Sequence, residues 1–317
     1  MLSYVARRVL YAIPIVIGVA FVCFLLVHIT PGDPLVAVLP ADASQELAAQ
    51  LRAAYGFDRP WPVQFGLWLW RAVNGDLGNS IATGRPVLSE VLRAVGNTVT
   101  LAVFAAMIGF TFGLLFGLIA GYFRDTWVDK VATSIAIAGV SVPHYWLGMV
   151  LVIIFSVELN WLPAVGAGPG GSSAWGWDFA HLRYLILPAI TTSVIPMGIV
   201  TRTVRALTGD ILSQDFVEAL RAKGLRETHV FRHVVKNAAP TALAVMGLQL
   251  GYMLGGSILI ETVFSWPGSG LLLNSAIFQR DLPLLQGTIL VLALFFVILN
   301  LLVDIVQAAI DPRIKRG

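Results

Sequence analysis

Carboxylates, imidazoles and thiols do chemistry only where partners of the right type stand at the right spacing, and these 317 residues offer few such sets. His28, Glu158 and Glu261 lie near the outer ends of apolar runs and Asp304 near an inner end, and they are scattered. Cys23 is the single cysteine, so neither an intramolecular disulfide nor a cysteine-based metal cluster can form. There is no H-E-x-x-H motif, no G-x-S-x-G turn and no G-x-x-x-x-G-K-[ST] phosphate loop. Hydrolysis by this chain lacks its nucleophile, its metal and its nucleotide cradle, so any nucleotide energy must come through another chain. A self-sufficient ion-coupled carrier would keep charges near the bilayer midplane, and none sits there.

The chemistry-bearing residues that do cluster lie in one basic stretch between Gly209 and Pro240, whose informative part, from Asp215, reads DFVEALRAKGLRETHVFRHVVKNAAP. Asp215 followed by Glu218 reads as a capping box at a helix start, with both acids well placed against the helix dipole. Phe216, Val217 and Leu220 share a face, and Gly224 after Lys223 matches the left-handed glycine that ends a helix. A second short helix follows, with Val230, Phe231, Val234 and Val235 on one side and His229, Arg232, His233 and Lys236 on the other. Two helices, a tight turn and a basic stripe suit a knuckle inserted into the groove of a soluble partner. The same periodicity also fits an amphipathic helix on anionic lipid, or a solvated connector.

The elements that must carry this stretch are membrane spans. Hydrophobic residues make up 57% of the chain and charged residues 12%, with a mean hydropathy of +0.80. A soluble domain carries about 25% charged residues. Six stretches reach the ~20 apolar residues needed to cross a bilayer core: Val9–Ile29, Thr98–Tyr122, Val131–Val157, Tyr184–Val204, Thr241–Phe264 and Leu285–Ile310. The first exceeds a signal-peptide core and lacks a small-residue cleavage site, so it reads as a retained span. The net charge of +3 lies between the apolar runs, which favours topology control over nucleic-acid binding. Arg7, Arg8, Arg124, Lys130, Arg202, Arg205, Arg221, Lys223, Arg226, Arg232, Lys236, Arg313, Lys315 and Arg316 fall on one side; Arg52, Arg59, Arg71, Arg85, Arg93, Arg183 and Arg280 fall on the other. The positive-inside rule then makes both termini cytoplasmic. No internal repeat is visible, so the chain reads as half of a larger assembly.

Inside the spans, Gly109, Gly113, Gly117 and Gly121 form a smooth stripe open to close approach, equally by another span of this chain or by another subunit. Gly251 and Gly255 repeat the pattern weakly. Pro188 and Pro196 are expected to kink the fourth span. Trp161, Trp175, Trp177 and Trp266 suit membrane-interface anchors. Met197, Met253 and Asn300 read as packing residues rather than pathway lining.

The stretch from Asp215 to Pro240 resembles the EAA loop of ABC-importer permeases in its peptide-importer form, through Glu218-Ala219, Lys223-Gly224-Leu225, Lys236-Asn237 and Pro240. The resemblance extends to the dipeptide/oligopeptide (peptide/nickel) permease family, the subunit type with a large external loop after the first span. It is carried by Tyr4, Arg7-Arg8, Ile13-Pro14, Gly18-Val19, Pro31-Gly32-Asp33-Pro34 and Gly75-Asp76-Leu77-Gly78. Ser141-Val142-Pro143, Trp146-Leu147-Gly148, Glu261-Thr262-Val263-Phe264-Ser265-Trp266-Pro267-Gly268 and Asp311-Pro312-Arg313 continue it. Leu220, where alanine is usual, and His144-Tyr145, where a Phe-Trp-like pair begins in many relatives, depart from the pattern.

This resemblance implies an all-α membrane protein with the type I ABC-importer permease fold: six transmembrane helices and both termini cytoplasmic. Residues 1–29 would be the cytoplasmic N-terminus and first span, 30–97 an external loop region, 98–310 a five-span core with its coupling loop at 205–240, and 311–317 a cytoplasmic tail. Asp215, Phe216, Glu218, Ala219, Leu220, Lys223, Gly224, Leu225, Val230, Phe231 and His233 would contact an ATPase. The chain would catalyse no covalent reaction and bind no cofactor; ATP and magnesium would sit on partner subunits. The implied partners are a second homologous permease, one or two cytoplasmic ATP-binding subunits and an external solute-binding protein, in the bacterial cytoplasmic membrane and without nucleic acid. The implied substrate is a di- or oligopeptide, with a nickel chelate or glutathione as alternatives in the same family.

Overall fold

A computed structural model describes residues 2–29, 44–46, 49–50, 58–171, 175–256 and 258–310, and among these there are helices and no strands. The motif at 31–34, Arg52 and residues 311–317 lie outside the described residues, as do the side chains of Tyr4 and His28. The helices are α1 (Leu2–Ile29), α2 (Trp61–Val73), α3 (Val87–Tyr122), α4 (Trp127–Ser141), α5 (His144–Val152), α6 (Phe179–Leu212), α7 (Asp215–Ala222), α8 (Glu227–Gly256), α9 (Ile258–Val263), α10 (Ser269–Gln279) and α11 (Leu282–Ile310). Five are long and apolar enough to cross a membrane, or six if α4 and the helix that follows it count as one span.

The third span, expected as one helix from Val131 to Val157, is broken. α4 and the continuous segment His144–Glu158, which passes from α5 into a π-helical turn at Ile153–Glu158, meet at 96°. The cause is local: Pro143 clashes with helical backbone at the residue before it, and Val142 is extended, with ψ 129°. The fourth span, by contrast, runs through Pro188 and Pro196 as one 34-residue helix. The fifth also differs from expectation. The second short helix expected after Gly224 is not separate from it; α8 begins at Glu227, passes through Pro240 and ends at Gly256, with the short α9 following.

The described chain divides into two compact units. In the first, Met1–Asn97 with Gly268–Ile298, Phe65 of α2 meets the rings of Phe21 and Phe24, each with centroids 5.4 Å away. Asp281 organises the turn beside α11. Its carboxylate accepts from the Ser80 hydroxyl at 2.5 Å, the Ala82 amide at 3.2 Å and the Leu284 amide at 3.1 Å, the last capping α11.

In the second unit, Thr98–Pro267 with Leu299–Gly317, α6 is the central helix, packed by α3, α4, α5, α8 and α9. The glycine stripe of α3 lies against it. A Cβ at Gly109 would come within 2.8 Å of the Ser193 carbonyl oxygen, at Gly117 within 2.7 Å of Val204 Cβ, and at Gly121 within 2.5 Å of Thr208 Cβ. Without a hydrophobic force between helices in lipid, such backbone approach is what holds spans together. The stripe therefore serves packing within the subunit. Gly198 of α6 repeats the device against α4, where a Cβ would meet the Ala136 carbonyl oxygen at 2.6 Å. Gly255 does not: its Cβ would meet nothing within 4 Å.

Candidate functional site

The basic stretch forms a hairpin of α7 and the beginning of α8. The cap of α7 is Gln214, extended at ψ 145° and without a side-chain cap bond, so the box expected from Asp215 and Glu218 is not formed. Asp215 is already the first helical residue, and both acids lie in the first turn, where they oppose the positive end of the helix dipole. The far end follows expectation. Gly224 has φ +79°, its amide donates to the Arg221 carbonyl at 2.9 Å, and the Leu225 amide reaches back to the Leu220 carbonyl at 3.2 Å. These are the two bonds of a Schellman motif.

The hairpin stands on an apolar base. Val217 of α7, Val230, Val234 and Ala238 of α8, and Ile211 at the end of α6 form one buried cluster, flanked by Leu220 and Leu225. Among the residues anticipated for contact, Val230 is thus fully buried and Leu220, Leu225 and Phe231 are half-buried. Asp215, Phe216, Glu218, Ala219, Lys223, Gly224 and His233 are exposed, Phe216 by 36%. Phe231 stands edge-on to Tyr122 at 5.5 Å, tying α8 to the end of α3. The arms are also joined by Arg221, whose Nε donates to Glu227 at 2.9 Å and whose guanidinium is held more firmly protonated by that bond. Taken together, the exposed face carries a part-exposed aromatic ring, two acids, a lysine and an imidazole on a two-helix frame.

A recess of about 310 Å³ lies elsewhere in the same unit, lined by Ser156, Asn160, Leu162, Arg183 and Tyr184 among others. Arg183 Nη2 donates to the Trp161 carbonyl at 2.6 Å, and Ser156 donates to the Leu162 carbonyl at 2.6 Å. Next to it, Asp178 caps α6. The His181 amide at 2.9 Å, with the His181 ring at 2.7 Å, holds its carboxyl below the usual carboxylate range. Of the four tryptophans expected at an interface, Trp161 and Trp177 are exposed, whereas Trp266 is fully buried and packs against Trp175 at 5.5 Å. Met253 is buried, as a packing role requires.

Two polar contacts had no counterpart in the sequence reading. The buried Glu261 accepts from Thr98, and Asp129 of α4 accepts from both Nε and Nη2 of Arg205 on α6. Each joins residues far apart in sequence, and helical periodicity within either segment carries no sign of the other.

Residues 113–316 match the family described as "Binding-protein-dependent transport system inner membrane component", and residues 1–102 match its N-terminal family. The chain is 39% identical over 316 residues to a putative peptide transport system permease protein of Brucella abortus, covering 99% of each. It is 37% identical over 334 residues to a dipeptide transport system permease protein of Alkalihalophilus pseudofirmus, covering 99% of this chain and 100% of that one. It is also 38% identical over 316 residues to a glutathione transport system permease protein of Salmonella typhi, covering 99% of each. Among solved structures, the inward-facing MetNI methionine ABC transporter shares the fold, with TM-score 0.58 at 15% identity over 70% of this chain and 96% of that one. With the family match spanning the length of the helical frame, the chain belongs to the binding-protein-dependent transport system inner membrane components: it is the permease subunit of an ABC importer, a transport component that works with separate ATPase and solute-binding proteins.

Proposed function

We propose that this chain forms half of a peptide translocation pathway in the bacterial inner membrane, with both termini cytoplasmic, and that α7 with the start of α8 is the knuckle gripped by an ATPase. The pathway's other half would be a second homologous permease; one or two ATP-binding subunits would hold the nucleotide and magnesium, and an external solute-binding protein would deliver the solute. The observation that carries the docking reading is the Schellman turn at Gly224 above a buried valine base, which presents Phe216, Glu218 and Lys223 outward on a fixed frame. Asp215, Ala219, Leu220, Gly224, Leu225, Phe231 and His233 complete the contact face, and Val230 holds it from beneath. Closure of the ATPase dimer would draw this knuckle toward its counterpart and shift the spans between two packed arrangements. The Lys/Arg bias supports placing the knuckle in the cytoplasm.

Peptide as the substrate class rests on the names of the relatives, some of which carry peptides or dipeptides and others glutathione, itself a tripeptide. The reading is tested in vesicles holding the complete importer. Gly224→Pro and Glu218→Arg are expected to leave the chain inserted while ATP hydrolysis no longer drives uptake. Normal uptake by both variants would remove the docking assignment. Mass spectrometry of the ligand on the cognate binding protein would replace the substrate class if that ligand were not a peptide.

A further inference from the structure

We propose that the Asp129–Arg205 ion pair is a positioning clamp for transport: it fastens α4 to the helix that carries the docking knuckle, so that movement of the knuckle is delivered to the break at Pro143. The proposal rests on the docking reading of α7.

Arg205 offers Nε and Nη2 together to the two oxygens of Asp129, the second bond measuring 2.6 Å. A bidentate pair fixes direction as well as distance. The Asp129 side chain is only 3% exposed, and its carboxylate also accepts from the Asp125 amide at 3.0 Å and the Thr133 hydroxyl at 3.1 Å. One carboxylate therefore joins the α3–α4 turn, the first turns of α4, and α6.

On one side of this point α6 ends at Leu212, just before α7, and Ile211 is buried in the same cluster as Val217, Val230 and Val234. The knuckle cannot move without the end of α6. On the other side, α4 runs from the clamp to Val142 and Pro143, where the chain turns by 96°. Helices are stiff along their length, and motion concentrates where the hydrogen-bonded ladder stops. The order of parts is thus knuckle, end of α6, ion pair, α4, break.

Stability alone is a poor explanation for the pair. Burying the Asp129 carboxylate offsets part of its attraction to Arg205, whose side chain stays 31% exposed, and packed apolar side chains would hold the helices as well. α4 is moreover already seated on α6 by the close approaches at Gly198 and Gly139, to Ala136 and Val194 respectively. Removing the pair should leave the helices packed and free the inner end of α4.

The test uses the complete importer in vesicles, with ATP hydrolysis and solute uptake measured together. Asp129→Asn and Arg205→Gln are expected to assemble with the ATPases and to hydrolyse ATP, while solute imported per ATP falls about ten-fold. The exchange Asp129→Arg with Arg205→Asp restores a large part of that ratio. An unchanged ratio in the single variants overturns the clamp, as does a parallel fall of hydrolysis and uptake. Where the single variants fail to assemble, Arg205→Lys and Thr133→Val decide, since both keep the charges: a lowered ratio upholds the clamp and an unchanged one overturns it. Gly224→Pro in the same vesicles separates the two ideas. If it uncouples while the Asp129 and Arg205 variants do not, docking stands and the clamp falls; if it imports normally, docking itself has failed.

Discussion

The hydroxyl of Thr98 donates to the carboxylate of Glu261 across 2.8 Å, and both residues are buried, Glu261 completely. Losing one buried hydrogen bond costs about 0.5–1.5 kcal/mol. Thr98→Val is therefore expected to lower the melting temperature of the purified chain, and Thr98→Ser to recover most of the loss. Equal melting temperatures for Thr98→Val and the parent would show that this bond contributes nothing.

The glycine stripe gives a graded expectation. At Gly121 a methyl group would press on Thr208 Cβ and the Arg205 carbonyl oxygen, the latter at 2.8 Å, and overpacking of this kind costs about 1–3 kcal/mol. Gly121→Ala should destabilise the chain and Gly121→Leu should prevent its accumulation. Gly255→Ala, where a Cβ meets nothing, should be neutral or stabilising by about 0.5–1 kcal/mol. Membrane yield checks Gly121→Leu, and detergent melting curves rank the two alanine variants; similar curves for Gly121→Ala and Gly255→Ala would contradict the close approach.

Gly224 is a purely conformational case, since a Cβ there has open space yet φ is +79°. An L-residue in that region costs about 1–2 kcal/mol, less for asparagine. Uptake should therefore decline in the order glycine, asparagine, alanine. A knuckle indifferent to this series would mean that the turn's geometry is not what the partner reads.

At the start of α6, Asp178 has a lowered pKa, so its contribution is full above the ordinary carboxylate pKa and disappears as pH falls through the lowered value in the folded chain. The protection of the amides following Asp178, corrected for the intrinsic pH dependence of hydrogen exchange, should fall on acidification. Asp178→Asn should keep the cap but lose this acid dependence. If that variant showed the same dependence as the parent, the acid sensitivity would belong to another group.

Arg280 ends α10 in left-handed backbone at φ 54° with its side chain exposed. Glycine adopts that conformation without the Cβ penalty, so Arg280→Gly is expected to raise stability by about 1 kcal/mol. A lower melting temperature would instead reveal a contact made by the guanidinium.

The features legible in the sequence are those written in a single stretch of chain. Apolar runs marked the spans, Gly224 marked the end of α7, and the spacing from Gly109 to Gly121 marked a smooth face. Which helix met that face was not legible, because α6 is brought there by tertiary packing. The break at Val142-Pro143 was signalled by its dipeptide, yet the apolar run continues through it and masks the stop. Asp215 was misread as a cap because nothing in its residue type shows that the extended residue is Gln214. Asp129 and Arg205 sit on different helices, and each alone reads as an ordinary charge near the end of a span.

The break at Pro143 also sets a length. Each arm, α4 and the segment from His144 to Glu158, has 15 residues and is about 22 Å long at 1.5 Å per residue. A straight helix of both would measure about 45 Å, well beyond the ~30 Å hydrocarbon layer. Bent by 96°, the two arms place their far ends about 30 Å apart. The elbow thus shortens the reach of an overlong segment by about a third, and a straight helix of both arms standing along the membrane normal would exceed the hydrocarbon layer by about 15 Å.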